Sequence, residues 1–246
     1  MNDSRGSVAD RAMEYRPLYR QVREQLVQRL AAGVWPPGSA LPSETSLATE
    51  LGVSQGTVRK ALDELTAENV LVRRQGRGTF VARHGEGGFL FQFFKLVPDN
   101  GQRVFPQSRV IGVARQPAPP EARRKLQLGR GAEAVQVRRV RTLDNVPCVI
   151  ESLWVPAALF PGIELREIPN NLYALYSDGY SVTIGGGREQ IKAVLLSPGD
   201  AALLNITPGH PALEIDRVAT SLETVPVEWR VSLCLTSKMH YALDLK

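Results

Sequence analysis

The chain has 246 residues, 43% of them hydrophobic and 22% charged, which excludes a disordered chain and is long enough for two cores. Its net charge of +5 favours an anionic partner, but residues 1–84 carry 12 Lys+Arg against 9 Asp+Glu and the rest 18 against 16, so any nucleic-acid footprint is local. Cys148 and Cys234 are too few for a disulfide scaffold and lack metal-ligand spacing, so neither a metal nor a cofactor is expected and the thiols read as reduced and cytosolic.

MNDSRGSVAD has no apolar run, so it is not a signal peptide, and residues 1–14 read as a disordered tail. No segment reaches the length of a membrane span. SETSLATELGV (Ser43–Val53) reads as a short amphipathic helix with Leu47, Ala48 and Leu51 on one face, ended by Gly52. Ser54 is an N-cap for a second helix, whose Val58, Ala61, Leu62 and Leu65 recur at helical spacing. Gln55, Gly56, Arg59 and Lys60 fall on its other face, near an N-terminus whose unpaired N–H groups attract phosphate. Arg59 suits guanine or phosphate, and Gln55 adenine or a phosphate oxygen. A solvated face of mixed charge is the alternative for this helix taken alone. Two β-prone runs then flank Arg73-Arg74-Gln75-Gly76-Arg77-Gly78, which reads as a basic hairpin with Arg77 at its tip, fit for a minor groove or phosphates. Two helices around a glycine turn, followed by such a hairpin, lay out a winged helix-turn-helix over residues 15–83.

Within RHGEGG (83–88), residues 84–88 read as a linker. Beyond it, short alternating strands dominate: SRVIGVAR, AVQVRRVRTL, PCVIESLWV, REQIKAVLLS, PALEIDRVATS and PVEWRVSLCL. Helical stretches are expected at Pro119–Leu128, Asn170–Tyr180 and Ser197–Leu204, which makes residues 89–246 an α+β domain around a mostly antiparallel sheet. Strand alternation puts Val135, Val137, Arg139, Arg141 and Leu143 on one face, and Val149, Glu151, Leu153 and Val155 on one face of the next strand. Charges among apolar residues must be paired or liganded. Either an arginine pairs with Glu151 inside the sheet, or the arginines hold an anionic ligand. Further on, Glu228 alternates with Arg230, Ser232 and Cys234. Gly185-Gly186-Gly187 has no following Lys-Ser/Thr, so it reads as a bulge or a turn rather than a phosphate loop.

The pieces PLYRQV, PPGSALPSE, LGVSQGTVRKAL and RRQGRGTFV follow one another over Pro17–Arg83 as in the DNA-binding domain of GntR-type bacterial regulators, which the segment closely resembles. The resemblance implies binding to double-stranded operator DNA. It assigns DNA contacts to Ser43, Glu44, Thr45, Ser54, Gln55, Gly56, Thr57, Arg59, Lys60, Arg74, Arg77, Gly78 and Thr79. Thr45 and Gln55 stand where many members have Arg, which implies a different operator or fewer phosphate contacts. Residues from about 89 onward resemble the UTRA effector domain of the HutC-like subfamily, with its chorismate-lyase-like fold, through VRRVRTLDNVPCVIESLWVPAALFPGI, NLYALYSDGYSVTIGGGREQIKAV and DRVATSLETVPVEWRVS. That implies an effector pocket using Arg139, Arg141, Glu151, Glu228, Phe91 and Tyr241. FLFQFFKLV (Phe89–Val97) replaces the small polar segment of phosphosugar-binding members, and LTSKMHYAL departs from the subfamily's ending, so a carboxylate fits as well as a phosphosugar.

The resulting expectation is a homodimeric repressor released from its operator by a small anionic metabolite. Two modules at fixed spacing read a pseudo-palindrome that one module cannot. An enzyme with a lyase-like C-terminal domain tethered to a DNA-binding module is the competing class. Against it stand the lack of a nucleophile–base motif or cofactor fingerprint, and the sequence isolation of His84, His210 and His240. A third reading is an architectural DNA-binding protein with no ligand.

Overall fold

The computed structural model describes residues 17–82, 93–101 and 104–243. The expected tail and linker, and Phe91, lie outside the described residues.

The first helix, α1 (Leu18–Ala31), begins behind Pro17 and buries Val22, Leu26, Val27 and Leu30. In α2 (Glu44–Leu51) the Ser43 side chain accepts from the Ser46 N–H, and Gly52 closes the helix in the left-handed region at φ 66°. In α3 (Gln55–Ala67) the Ser54 hydroxyl accepts from the Thr57 N–H, and Val58, Ala61, Leu62 and Leu65 are buried. These stripes meet Leu41, Val70, Leu71 and Val81 in one core. The hairpin of β1 (Leu71–Arg74) and β2 (Gly78–Val81) pairs Val72 with Phe80 and Arg74 with Gly78. Its turn needs positive φ at Gly76 and Gly78, and it leaves Arg77 exposed at the tip. The winged helix-turn-helix therefore has the layout expected.

The short strand β3 (Leu96–Pro98) precedes a six-stranded antiparallel sheet. Its members are β4 (Gln107–Pro117), β5 (Glu133–Leu143), β6 (Val146–Pro156), β7 (Ile184–Leu195), β8 (Pro211–Ser221) and β9 (Pro226–Cys234), in the order β4-β5-β6-β9-β8-β7. The strand β10 (Met239–Tyr241) pairs with β3 apart from this sheet. Asp144 and Asn145 both take positive φ in the turn joining β5 to β6, as a two-residue hairpin requires. The helices α4 (Pro120–Leu126), α5 (Leu172–Tyr180) and α6 (Pro198–Leu203) fall where helical stretches were expected. Gly185 sits at a register shift between Ile184 and Gly186, so the glycine run is a bulge at the start of β7.

Both faces of the sheet are covered. On one, α5 lays Leu172, Tyr173 and Tyr176 over Val135, Val137, Leu153 and Val155. On the other, α4 packs with Ala134, Trp154 and Trp229, and α6 with Val140 and Ile150. Double coverage means that the charged residues on the α5 side are enclosed, and this is what makes that face a site. No helix among the described residues is long and apolar enough to cross a membrane.

Candidate functional sites: a DNA-reading surface and a charged chamber

The exposed face of α3 begins at its capped N-terminus, where Gln55, Gly56, Arg59 and Lys60 are all exposed. Thr57 is half-buried, with its hydroxyl 2.9 Å from that of Ser54. Ser43 and Thr45 are exposed at the start of α2. Glu44 is the organising residue of this surface. One carboxylate oxygen accepts from Arg59 Nε at 2.9 Å and from Gln55 Nε2 at 3.3 Å; the other accepts from Arg73 at 3.3 Å. Arg59 is thus held toward the start of α2, which lowers the entropic cost of ordering it on a base or phosphate. In the wing, Arg74 lies over the Phe80 ring with its guanidinium carbon 4.8 Å from the centroid, and Lys60 sits 3.9 Å from the Tyr19 centroid. Gly78 is exposed and Thr79 half-buried. Every DNA-contact residue expected from sequence therefore lies on α2, α3 or the wing, or at their caps. Arg73, by contrast, is held by Asp63 at 2.6 Å as well as by Glu44.

The second site is built by cross-strand register. Arg139 stands directly opposite Glu151, Arg217 opposite Arg230, and Glu189 opposite Arg217. Like charges facing each other on a ladder repel, so Arg217 and Arg230 each need a carboxylate. Arg230 takes Glu228 in a fork, at 2.9 and 2.7 Å, and reaches Glu151 at 3.1 Å. Arg217 pairs with Glu189 and also donates to the Phe93 carbonyl. Arg139 Nε donates to Glu151 at 2.5 Å, and its NH1 donates to the Asn170 carbonyl at 3.1 Å. Both readings of the paired charges meet here: the arginines do pair with Glu151, and the same residues enclose a chamber.

Arg141 is the least compensated of the four. It donates to the Pro106 carbonyl at 3.0 Å, lies 3.5 Å from Glu151, and is sandwiched by Phe94 and Phe105, at 4.9 and 4.4 Å. Its Nε has no partner among the described residues although the side chain is buried. Burial is the main cause that lowers its pKa to about 10, only partly offset by Glu151 and reinforced by the nearby Arg139 and Arg230. Burial alone would raise the Glu151 carboxyl, but Arg139, Arg230 and Arg141 together hold it well below the usual range. Arg230 is held well above its ordinary value against burial, by Glu151 and Glu228. Four guanidiniums face three carboxylates (Glu151, Glu189, Glu228), so the cluster carries one positive charge in excess.

Of the expected effector residues, Arg139, Arg141 and Glu151 line the chamber together. Glu228 stands behind Arg230 rather than in the wall. It is fully buried and accepts from Arg230, from Tyr173 at 3.2 Å and from Tyr176 at 2.7 Å, which leaves little acceptor capacity for a ligand. Burial, then the Glu228 charge, pushes Tyr173 up to about 12 and Tyr176 well above its ordinary value, so both phenols stay protonated donors. Tyr241 hydrogen-bonds Glu189 and lines an adjoining cavity of about 480 Å³, which shares Phe93, Lys95 and Arg217 with the chamber. Sequence reasoning missed Asn170, Tyr173 and Arg217. The Arg217 signal was available, as a lone arginine in PALEIDRVATS alternating with Ile215 and Ala219.

A winged helix beside a positively biased pocket of buried charges defines a DNA-binding regulator with a ligand-sensing domain. Comparison with known proteins gives the particular family. Residues 18–81 match the family described as bacterial regulatory proteins, gntR family, and residues 101–240 match the UTRA domain. The chain is 32% identical over 203 residues to the mannosyl-D-glycerate transport/metabolism system repressor MngR of Escherichia coli, spanning 82% of this chain and 85% of the relative. It is 34% identical to the histidine utilization repressor of Pseudomonas putida, over 82% of this chain and 81% of that one. Among solved structures, the ligand-binding domain of a GntR-family regulator from Bordetella bronchiseptica superposes with a TM-score of 0.57 at 34% identity, covering 62% of this chain and 96% of that domain. The chain belongs to the gntR family and carries a UTRA domain; it is a transcription regulator of the repressor type.

Proposed function

We propose that this repressor acts in the cytoplasm as a homodimer, with residues 15–83 reading operator DNA and residues 89–246 sensing a small anionic metabolite, most simply a carboxylate. The observation that carries the ligand class is Arg141: a buried guanidinium with an unpaired Nε, in a cluster with one positive charge to spare. An unpaired buried donor costs about 1–3 kcal/mol, and an anionic oxygen removes that cost. Two relatives are named for mannosyl-D-glycerate and histidine, and both compounds bear a carboxylate.

The free space in the chamber is about 50 Å³. At about 10–15 Å³ of such space per water, that is room for a few waters. A larger metabolite is accommodated where the pocket opens outward or by movement of wall residues such as Phe93 and Phe94. Sensing rather than catalysis fits the wall chemistry, because burial raises the Cys234 thiol far from a reactive thiolate.

The test is operator binding by fluorescence anisotropy across a panel of small mono- and dicarboxylates. At least one compound should release the DNA from the wild-type chain, and Arg141→Ala should keep operator binding while losing the release. Equal release from both proteins would remove Arg141 from the ligand site, and operator binding indifferent to every anion would count against an anionic effector. Sedimentation of the free protein as a monomer would overturn the dimer.

A further inference from the structure

The turn between β8 and β9 reaches out of the effector domain. Leu222, in that turn, is half-buried and packs against the core of the winged helix, alongside Trp35. Leu222 and Trp35 line one cavity of about 370 Å³ together with Val70 and Val81 from the DNA-binding side and Ser177 and Asp178 from α5. The turn is tied down at its base. The Leu222 N–H donates to the Thr183 carbonyl at 3.2 Å, and the Ser221 N–H donates to the Val225 carbonyl at 2.8 Å.

The same hairpin carries the chamber's charges. Arg217 is on β8, and Glu228 and Arg230 are on β9. Glu228 stands opposite Ala219, three residues from Leu222. At about 3.3 Å per residue that is a span of roughly 10 Å at most, through a register shift between Ala219 and Thr220 and into the turn. The helix α5 runs beside it, with Tyr173 and Tyr176 bonded to Glu228 and Ser177 and Asp178 at the Leu222 cavity. Gly185 leaves space for this contact. A Cβ there would lie 2.9 Å from Leu222 Cα and 3.1 Å from its N, so the bulge of β7 is what lets the tip sit where it does.

We propose that Leu222 is the coupling contact of this repressor, and that the β8–β9 hairpin transmits the state of the chamber to the winged helix by moving Leu222 against Trp35. The proposal rests on the chamber being the effector site. The hairpin is anchored in the ion cluster at one end, and its apolar tip ends against the core of the winged helix, so a shift of the paired strands is felt at Leu222. Rearranging Glu228 and Arg230 around a ligand thus changes what the DNA-binding domain packs against. Couplings between sites correspond to about 5- to 150-fold changes in affinity.

The experiment needs no identified ligand, because Tyr176→Phe perturbs the chamber by removing one donor from Glu228. Full-length protein is labelled with 5-fluorotryptophan, and the Trp35 resonance is identified with Trp35→Phe. Tyr176→Phe should shift the Trp35 resonance in the chain that has Leu222 and leave it unmoved in a Leu222→Ala background. Gly185→Ala, which displaces the tip without removing a core side chain, keeps the test available if Leu222→Ala folds poorly: in that background the Tyr176→Phe shift of Trp35 should shrink. A Trp35 shift of the same size with and without Leu222, or no shift in either, overturns the coupling. Binding of the wild-type chain to its own promoter fragment is measured in parallel. Its absence would sink the regulator reading, whereas intact binding with a Leu222-independent Trp35 response sinks this coupling alone.

Discussion

Glu151→Gln is the sharpest perturbation of the ion cluster, because it removes one charge and changes no volume. Glu151 accepts from Arg139 at 2.5 Å and Arg230 at 3.1 Å and lies 3.5 Å from Arg141, at 3% exposure. Neutralising it leaves four guanidiniums facing two carboxylates, so the buried excess doubles. Breaking a buried pair by removing one partner costs about 3–5 kcal/mol. For a chain of this size each kcal/mol lowers Tm by about 2–4 °C, so a drop on the order of 10 °C is expected. The pH dependence has a definite sign. The folded Glu151 carboxyl lies well below its ordinary value of 4.5, so its stabilisation is fully present above that pH and is lost as pH falls toward the folded value. Thermal unfolding followed by circular dichroism should show a constant gap between the two proteins from pH 8 to about 5 and a narrowing gap below about 4.5. A loss of under about 1 kcal/mol at pH 7, or a gap that widens on acidification, would refute an ionised Glu151 at the centre of the cluster.

Three further outcomes are expected. Arg59→Ala should weaken operator binding, and if Arg59 meets a phosphate the slope of log K against log salt should fall by about 0.9; an unchanged affinity across a salt series would remove Arg59 from the interface. Gly52→Ala should cost roughly 1–2 kcal/mol in urea unfolding, because φ is 66° and no neighbour lies within 4 Å of the new Cβ, so the cost is conformational; Gly52→Asn should recover part of it. Burial raises Cys148 to about 11 and Cys234 further still, so neither thiol should react with a disulfide reagent at pH 8 in the native protein, and both should react in guanidinium.

The DNA-reading half was legible because its determinants are local. Ser43 and Ser54 cap helices, Gly52 turns between them, and each acts within a few residues of itself. The function of Glu44 was only half legible. Its place at the start of α2 follows from the cap, but its bonds to Arg59 and Arg73 join residues 15 and 29 positions away. The wing's basic run was visible, yet Arg73 turned out to be engaged by Asp63 and Glu44, which composition cannot reveal.

In the effector half, alternation gave the correct face for Arg139, Arg141 and Glu151, because period-two patterning needs no knowledge of neighbours. It could not say which side of the sheet Glu228 joins, since that depends on β9 lying between β8 and the distant β6. Nor could it bring Tyr173 and Tyr176 to Glu228 across 55 and 52 residues. Those two phenols, with Arg230, use up Glu228 and turn an expected ligand contact into a support for Arg230. In sequence, an internal ion pair and a ligand pocket looked like rival explanations for arginines on an apolar face. In three dimensions they are one arrangement: three carboxylates fix three of the guanidiniums in place, and the fourth, Arg141, keeps an N–H that none of them reaches. Arg141 is held instead by the Pro106 carbonyl and the Phe94 and Phe105 rings, a placement that under the proposed function suits recognition of an anion by position as well as by charge.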